Sequence, residues 1–263
     1  YESLEPHCFA SVSGDKGLQE IFEKNWDFYS TVAIKTEKLE GVSADKAADN
    51  YLKKVDPLKR NTAKAYSLGI AYGMEAYALG RTLDVSQKEA QVLVDGYLDG
   101  FPQLKEWRER SREEVKANGK ISNYVGRVRH LPRVQKTFAK FGDRMMDWRF
   151  RKELEPQYGK DQVMKAYRDY RNGLNNCLNF QLQSLAAAVV NRAALAINRK
   201  AEEMGIDAKV QAQVHDQLII NIREDQAEEF APIVQHLMEV TTQLPGVTLK
   251  APPEIAVNWK EGH

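Results

Sequence analysis

Cysteine is scarce in this chain. Cys8 and Cys177 are the only two in 263 residues. Two distant thiols make neither a disulfide framework nor a metal quartet, so reduced thiols are the simpler reading. No apolar run reaches the length of a membrane span and no charged-then-apolar leader opens the chain, so no membrane partner is expected. Repeats, low-complexity tracts and clear linkers are also missing. A His-x-x-x-His spacing and a second obvious carboxylate cluster are lacking, which ranks a metal-dependent hydrolase low. The net charge is only +1, so overall charge predicts no polyanionic partner. One sign is missing locally, however. Between Val115 and Gly142 no acid occurs, while Lys116, Lys120, Arg127, Arg129, Arg133, Lys136 and Lys140 do. Such a stripe on a neutral protein reads as an anion-facing surface. Just before it, Lys105, Arg108, Arg110 and Arg112 mix with Glu106, Glu109, Glu113 and Glu114, which reads as a solvated helix face with i,i+4 pairs.

A hydrophobic content of 43% with 29% charged residues allows a packed core and excludes global disorder. Ser13 or Asp15 caps a short helix through Leu18, Ile21 and Phe22. Residues 43–55 read as a helix begun by Ser43. Pro57 opens a helix that runs to about Tyr72. Ser86 and Glu89 form a capping box for a longer one. Phe101-Pro102 interrupts it, and a second helix resumes until Asn118-Gly119. Short strands are expected around Gly126 and Pro132, then mostly helix over 137–171 with breaks at Gly142, Pro156 and Gly159. Residues 172–203 are the longest helix candidate. A hairpin, a helix from Asp225 to Leu244 and a last strand near 254–257 complete an α+β, helix-rich chain.

Two stretches carry chemistry. KVQAQVHDQLIINIR, residues 209–223, reads as two strands joined at His215, Asp216 and Gln217. A tight turn wants residues that tolerate positive φ, which His and Asp do moderately. A carboxylate at a strand tip also suits Mg²⁺, which takes one or two carboxylates plus substrate phosphates. RNTAKAYSLGIAYG, residues 60–73, sets Arg60, Lys64, Leu68 and Tyr72 at four-residue spacing along one side of a helix. Two cations, an apolar residue and an aromatic suit a nucleotide better than a core. Gly69 and Gly73 in the same helix imply that something approaches closely.

On these motifs the chain resembles family A DNA polymerases, the DNA polymerase I family. R-x3-K-x7-YG at Arg60, Lys64, Tyr72 and Gly73 matches the fingers-helix motif. VHDQ at residues 214–217 resembles the palm hairpin motif VHDE. YESLEPHCFA at residues 1–10 resembles the palm strand motif DYSxxELRxxA without its first residue. NFQLQSLAAA (179–188) resembles the helix that reads primer-template geometry, VGRVRHLP (125–132) the GRRRxLP loop, and Asn258-Trp259 with His263 the closing NWxxAH. The matches are in order and span the chain. The fold implied is a polymerase palm with an antiparallel sheet and a helical fingers subdomain. Palm would occupy 1–40, fingers 41–119 and the rest of the palm 120–263, with a helical insertion at about 136–171.

The resemblance implies template-directed nucleotidyl transfer from dNTPs on primer-template DNA, with two Mg²⁺ ions held by two palm aspartates. Asp216 matches one of them, and Tyr1 matches the residue whose backbone carbonyl joins a metal shell. Arg60 and Lys64 would take the dNTP phosphates. Tyr72 would lie by the templating base, and Glu5 matches the glutamate that helps exclude a 2′-hydroxyl. Asn179 and Gln183 would hydrogen-bond primer or template, His215 would lie near the primer terminus, and Arg127 would contact the DNA backbone or minor groove. Leu68 stands where the family usually has Phe or Tyr, Gln217 replaces Glu, Tyr29 replaces a His at a phosphate contact, and Pro6-His7 replaces Leu-Arg. The other catalytic aspartate is expected immediately before Tyr1. Thumb and exonuclease regions precede that point in the family, so an upstream polymerase part is an expected partner and the 263 residues alone are expected not to polymerise. The alternative is a non-catalytic nucleic-acid-binding module from a split or decayed polymerase. A bacterial or phage-infected cytoplasm is the expected setting, with Leu68, Gln217 and the polar stretch at 136–171 giving a phage-like cast.

Overall fold

The computed structural model describes residues 1–258 and 261. Trp259 and His263, part of the closing motif, lie outside the described residues. The chain enters through Tyr1 into helix α1 (Leu4–Ser13). This corrects the palm-strand expectation for residues 1–10. Leu4, Cys8, Phe9 and Ala10 are all buried, so the segment is apolar on several sides and shows no helical period. Helix α2 (Lys16–Glu23) follows, capped by Asp15 rather than Ser13: Leu18 N–H donates to Asp15 Oδ1 at 3.1 Å. Helix α3 (Phe28–Glu37) begins at Asp27, whose Oδ1 accepts from Ser30 N and Ser30 Oγ.

The helix expected from Ser43 does not form. Ser43 pairs its backbone with Tyr51 across a turn-rich loop, and only the short α4 (Leu52–Val55) is helical. Between them Ala44 alone is buried up to residue 50, so no apolar stripe exists to dock a helix. Helix α5 (Pro57–Ala71) starts with Pro57 at its first turn and Asp56 as cap, as expected. Helices α6 (Ala76–Leu83), α7 (Gln87–Gly100) and α8 (Pro102–Asn118) follow. The Ser86–Glu89 capping box is present in full. Asp15 also caps α8 from 88 residues away: its Oδ2 accepts from Gln103 N at 3.0 Å and Leu104 N at 3.3 Å. Helix α8 is not the solvated face expected. Trp107, Arg108, Ser111 and Lys116 are buried, because the helix packs against both α1 and the long helix described next.

Strands β1 (Lys120–Ser122) and β2 (Val128–His130) form a short antiparallel hairpin over Gly126. Pro132 opens helix α9 (Pro132–Phe141) rather than ending a strand. After a 3₁₀ turn at Gly142–Met146 comes α10 (Trp148–Tyr158), which contains Pro156 instead of breaking there. Helix α11 (Lys160–Met204) has 45 residues, starting twelve earlier than expected. A stretch of it reaches the length and hydropathy of a membrane span, which reading for unbroken apolar runs does not reveal. Its apolar residues serve the core instead. Tyr170, Leu174, Leu178, Leu182, Leu185 and Val189 join Phe9, Leu18, Tyr66, Tyr97 and Leu104 in one buried cluster. Close approach to α9 fixes Gly173, where an added Cβ would overlap Val134 Cγ2.

Strands β3 (Ala208–Val214) and β4 (Gln217–Ile222) form the second hairpin, with Val214 opposite Gln217 and a bulge between Val210 and Ala212. Helix α12 (Glu224–Val240) stops short of Leu244, and no strand forms near 254–257 among the described residues. Phe230, Val234 and Met238 of α12 pack with Ala193, Ile197 and Ala201 of α11, and half-buried Ile220 and Ile222 of β4 lean on that cluster.

Candidate active site

The β3–β4 turn has two residues, and its first, His215, has φ 54°. Asp216 follows it, half-buried. Among the described residues no cation or donor reaches its carboxylate, while its backbone oxygen accepts from the Tyr1 amine at 3.1 Å. Tyr1 is fixed at two further points. Its hydroxyl donates to Met238 O at 2.8 Å, and the next amide, Glu2 N–H, donates to Lys250 O at 2.9 Å. Burial first, then the Asp216 charge, pushes the Tyr1 phenol well above its ordinary range. A cavity of about 550 Å³ lies beside the turn, lined by Tyr1, His215, Asp216, Leu218 and residues of α12 and 251–256. Among the described residues no group of three or more His, Cys, Asp or Glu side chains is arranged to hold a metal ion by itself. A half-buried carboxylate that no protein cation engages among the described residues suits a divalent cation as one ligand of a larger set.

Glu5 lies four residues on, in the first turn of α1. Its Oε1 accepts from Tyr72 Oη at 2.7 Å. The sequence nominates both residues separately, and the fold joins them. Tyr72 is the residue just past α5, packed against Phe9, and burial with the Glu5 hydrogen bond raises its phenol. Gly73 turns the chain at φ 99°, and Asn175 Oδ1 would meet an added Cβ at 2.7 Å. Gly69 is likewise crowded by Met74. The close approaches implied by these two glycines are therefore made by the protein's own side chains.

At the other end of α5, Arg60 forks onto Asp27: Nε donates to Oδ1 at 2.8 Å and Nη2 to Oδ2 at 2.9 Å. The Asp27 carboxyl sits in a contest. Burial pushes it up, but hydrogen bonds from Arg60 and Ser30 outweigh this and hold it below the ordinary range. Arg60 and Lys64 both face the Tyr29 ring, at 5.3 and 5.9 Å from its centroid. Lys64 is exposed and Leu68 half-buried one turn on. So Arg60, Lys64, Leu68 and Tyr72 follow α5, with Tyr29 of α3 against the two cations, and the segment from Glu5 back to Tyr1 leads from that row to Asp216. Asp27 was not legible as part of this row, because its partner lies 33 residues away.

Asn179, Gln183 and Arg127 form a separate group. Asn179 and Gln183 are one turn apart on α11; Gln183 is exposed and Asn179 Oδ1 is buried without a partner. The β1–β2 hairpin docks beside them through Asn123 Nδ2, which donates to Ser184 Oγ at 2.8 Å. Asn123 Oδ1 in turn accepts from Arg127 N, leaving the Arg127 side chain exposed at the tip. His215 is exposed at its own tip and is not joined to this group.

Comparison with known proteins gives one answer. Residues 1–261 match the profile of DNA polymerase family A. DNA polymerase I of Pseudomonas aeruginosa is 27% identical over 265 residues, covering 100% of this chain and 24% of that protein. The thermostable DNA polymerase I of Thermus aquaticus is 27% identical over 259 residues, covering 98% and 26%. Among solved structures, the POL domain of Pol1 from M. smegmatis, in complex with DNA primer-template and dNTP, superposes with a TM-score of 0.74 at 25% identity, covering 95% of this chain and 37% of that one. The chain thus spans about a quarter of the length of the curated relatives it matches. With a profile match over nearly its whole length and the motifs of that family gathered along α5, α1 and the β3–β4 turn, the chain belongs to DNA polymerase family A.

Proposed function

We propose that these residues form the palm and fingers part of a DNA-directed DNA polymerase that adds dNTPs to a primer on a DNA template. The observation that carries the reading is the continuous path from Arg60 along α5 to Tyr72, across the 2.7 Å hydrogen bond to Glu5, and through Tyr1 to Asp216. Arg60 and Lys64 bind the triphosphate, a guanidinium fork and a point charge acting together. Arg60 is forked onto Asp27, so phosphate binding competes with that pair or shares it. Leu68 walls the base and sugar without a π-face. The Glu5–Tyr72 pair closes the space beside the sugar and excludes a 2′-hydroxyl, while Tyr72 lies by the templating base. Tyr29 backs the two cations and offers a hydroxyl to phosphate.

Asp216 and the backbone of Tyr1 would hold Mg²⁺, with a second carboxylate supplied from sequence beyond these 263 residues. Bound there, two ions supply the positive charge needed at the attacking and leaving oxygens. Asn179, Gln183 and Arg127 would contact primer-template DNA, and His215 would lie near the primer terminus. In our reading 1–40 and 120–263 belong to the palm and 41–119 to the fingers, the helical insertion at about 136–171 and the Leu68 and Gln217 choices are phage-like, and the enzyme works in a bacterial or phage-infected cytoplasm.

Primer extension tests this. The purified chain, given Mg²⁺, dNTPs and primer-template, is expected to give no product. A longer chain that adds a carboxylate beside Tyr1 is expected to extend the primer. Extension by the 263 residues alone refutes the need for a second carboxylate. Failure of every longer chain refutes the polymerase reading.

A further inference from the structure

A second concentration of charge lies behind Tyr72, away from Asp216. Helix α8 carries Arg108 and Arg112 one turn apart. Arg108 is only 6% exposed, yet its Nε and Nη1 are buried without a partner. Arg112 gives one hydrogen bond, Nη2 to Asn175 Oδ1 at 3.1 Å, and its buried Nε has none. Arg171 lies one turn before Asn175 on α11. It donates Nη2 to Glu75 Oε2 at 3.0 Å, and its Nε too is buried without a partner. Asn175 and Arg112 flank Gly73: an added Cβ there would sit 2.7 Å from Asn175 Oδ1 and 3.4 Å from Arg112 Nη2.

The neighbouring carboxylates do not balance these three cations. Glu75 is shared with Arg171 and is 43% exposed at its side chain, and Glu109 is exposed. Burial first, then repulsion from Arg112, pulls the Arg108 guanidinium down to about 10, against the opposing pull of Tyr97, Glu109 and Glu75. A buried cation without its counter-charge is strongly unfavourable, and buried N–H donors without acceptors add to that. A tetrahedral oxyanion removes both penalties, since it brings negative charge and several acceptors to planar donors.

We propose that Arg108, Arg112 and Arg171 form a binding site for a phosphoryl group directly behind Tyr72 and Gly73. In one respect this rests on the polymerase reading: with Tyr72 by the templating base, the group is a phosphodiester of the template strand. Free phosphate carries the same chemistry, so the test separates the two sources. Phosphate binding at the site does not involve Asp216.

The first arm is thermal denaturation of the purified chain against inorganic phosphate, with chloride holding the ionic strength constant. The wild type is expected to gain Tm with phosphate in a saturable way. Arg108→Met is expected to raise Tm without phosphate and to lose the phosphate-dependent gain. Arg112→Gln, which keeps a polar side chain at a half-buried position, is expected to weaken phosphate binding about tenfold or more. An equal phosphate gain in wild type and both variants is a bulk salt effect and overturns the site. A loss of Tm in Arg108→Met without phosphate overturns the claim that its charge is unbalanced.

The second arm is fluorescence anisotropy with a primer-template carrying a single-stranded template overhang, and with a blunt duplex. Arg112→Gln is expected to weaken binding to the overhang DNA, to lower its salt slope by about one, and to leave the blunt duplex unchanged. Arginine-dependent phosphate binding with no effect on the overhang overturns the template assignment in favour of free phosphate. Neither arm needs primer extension, so failure here leaves the polymerase reading standing, and failure of primer extension leaves the phosphate result standing.

Discussion

Replacing Asp27 by asparagine keeps the shape of the side chain and removes one charge. In the fold that carboxylate has two roles. Its Oδ1 caps α3 by accepting from Ser30 N at 2.8 Å and Ser30 Oγ at 2.7 Å, and both oxygens take the Arg60 fork at 2.8 and 2.9 Å. The asparagine keeps an oxygen for the cap but turns an N–H₂ toward Arg60 Nη2, so the fork loses one bond and the cation its counter-charge. The two side chains are 11% and 16% exposed, so screening by water is weak. A charge-assisted hydrogen bond is worth about 1.5–3 kcal/mol, so the expected loss is about 2 kcal/mol. For a chain of this size that lowers Tm by roughly 4–8 °C. Asp27→Ala removes the cap as well and costs about 1 kcal/mol more. The Asp27 carboxyl is held below its ordinary pKa, so its contribution is fully present above about pH 4, the unfolded value, and is lost as pH falls through the folded value. Wild type and Asp27→Asn are therefore expected to converge in stability at low pH. The same substitution frees Arg60 and is expected to tighten binding of a dNTP. Thermal denaturation from pH 7 to 2, with dNTP titration followed by fluorescence, reads both. An unchanged Tm at pH 7, or a gap that does not close in acid, refutes the argument.

Three further outcomes follow from other residues. Asp15 is fully buried and accepts three backbone N–H groups, one from α2 and two from α8, so Asp15→Ala is expected to cost about 3 kcal/mol in urea unfolding; a loss under about 1 kcal/mol contradicts its double role. His7 is buried against Phe22, with its ring centroid 3.7 Å away, and burial lowers its pKa. The unfolded chain therefore binds the proton more readily, so stability falls as pH drops from the unfolded value of about 6.5 toward the folded one, and His7→Gln should flatten that part of the pH–Tm curve. Leu68→Tyr in a complete enzyme is expected to change the ratio of dideoxynucleotide to deoxynucleotide incorporation in competition assays, and equal ratios contradict a role for Leu68 at the sugar.

The readable parts of the fold were those with local punctuation. Pro57 and Asp56 start α5, the Ser86–Glu89 box starts α7, and Pro102 and Gly119 bound α8. Asp216 at a hairpin tip and the Arg60–Tyr72 row needed only strand and helix periods. Residues 43–51 misled because Ser43 reads as a cap and Ala and Lys suit a helix, while burial gives that helix nothing to pack. Residues 4–13 misled because apolar residues on several sides hide the period. Partners far apart in sequence left no signal: Asp27 with Arg60, Asp15 with the start of α8, and Arg112 with Asn175 across 63 positions. Arg108 and Arg112 read as surface charge because alternation with glutamate looks the same whether α8 faces water or α11.

Asp216 carries the proposed chemistry. Single-turnover primer extension by an enzyme that contains these residues and a second carboxylate beside Tyr1, measured with Mg²⁺ for wild type and Asp216→Asn, tests it. The expected result is a fall of more than about 100-fold in rate, beyond what loss of an outer-shell partner gives, with primer-template affinity largely kept. Extension by Asp216→Asn within a few-fold of wild type would contradict the proposed metal site at this turn.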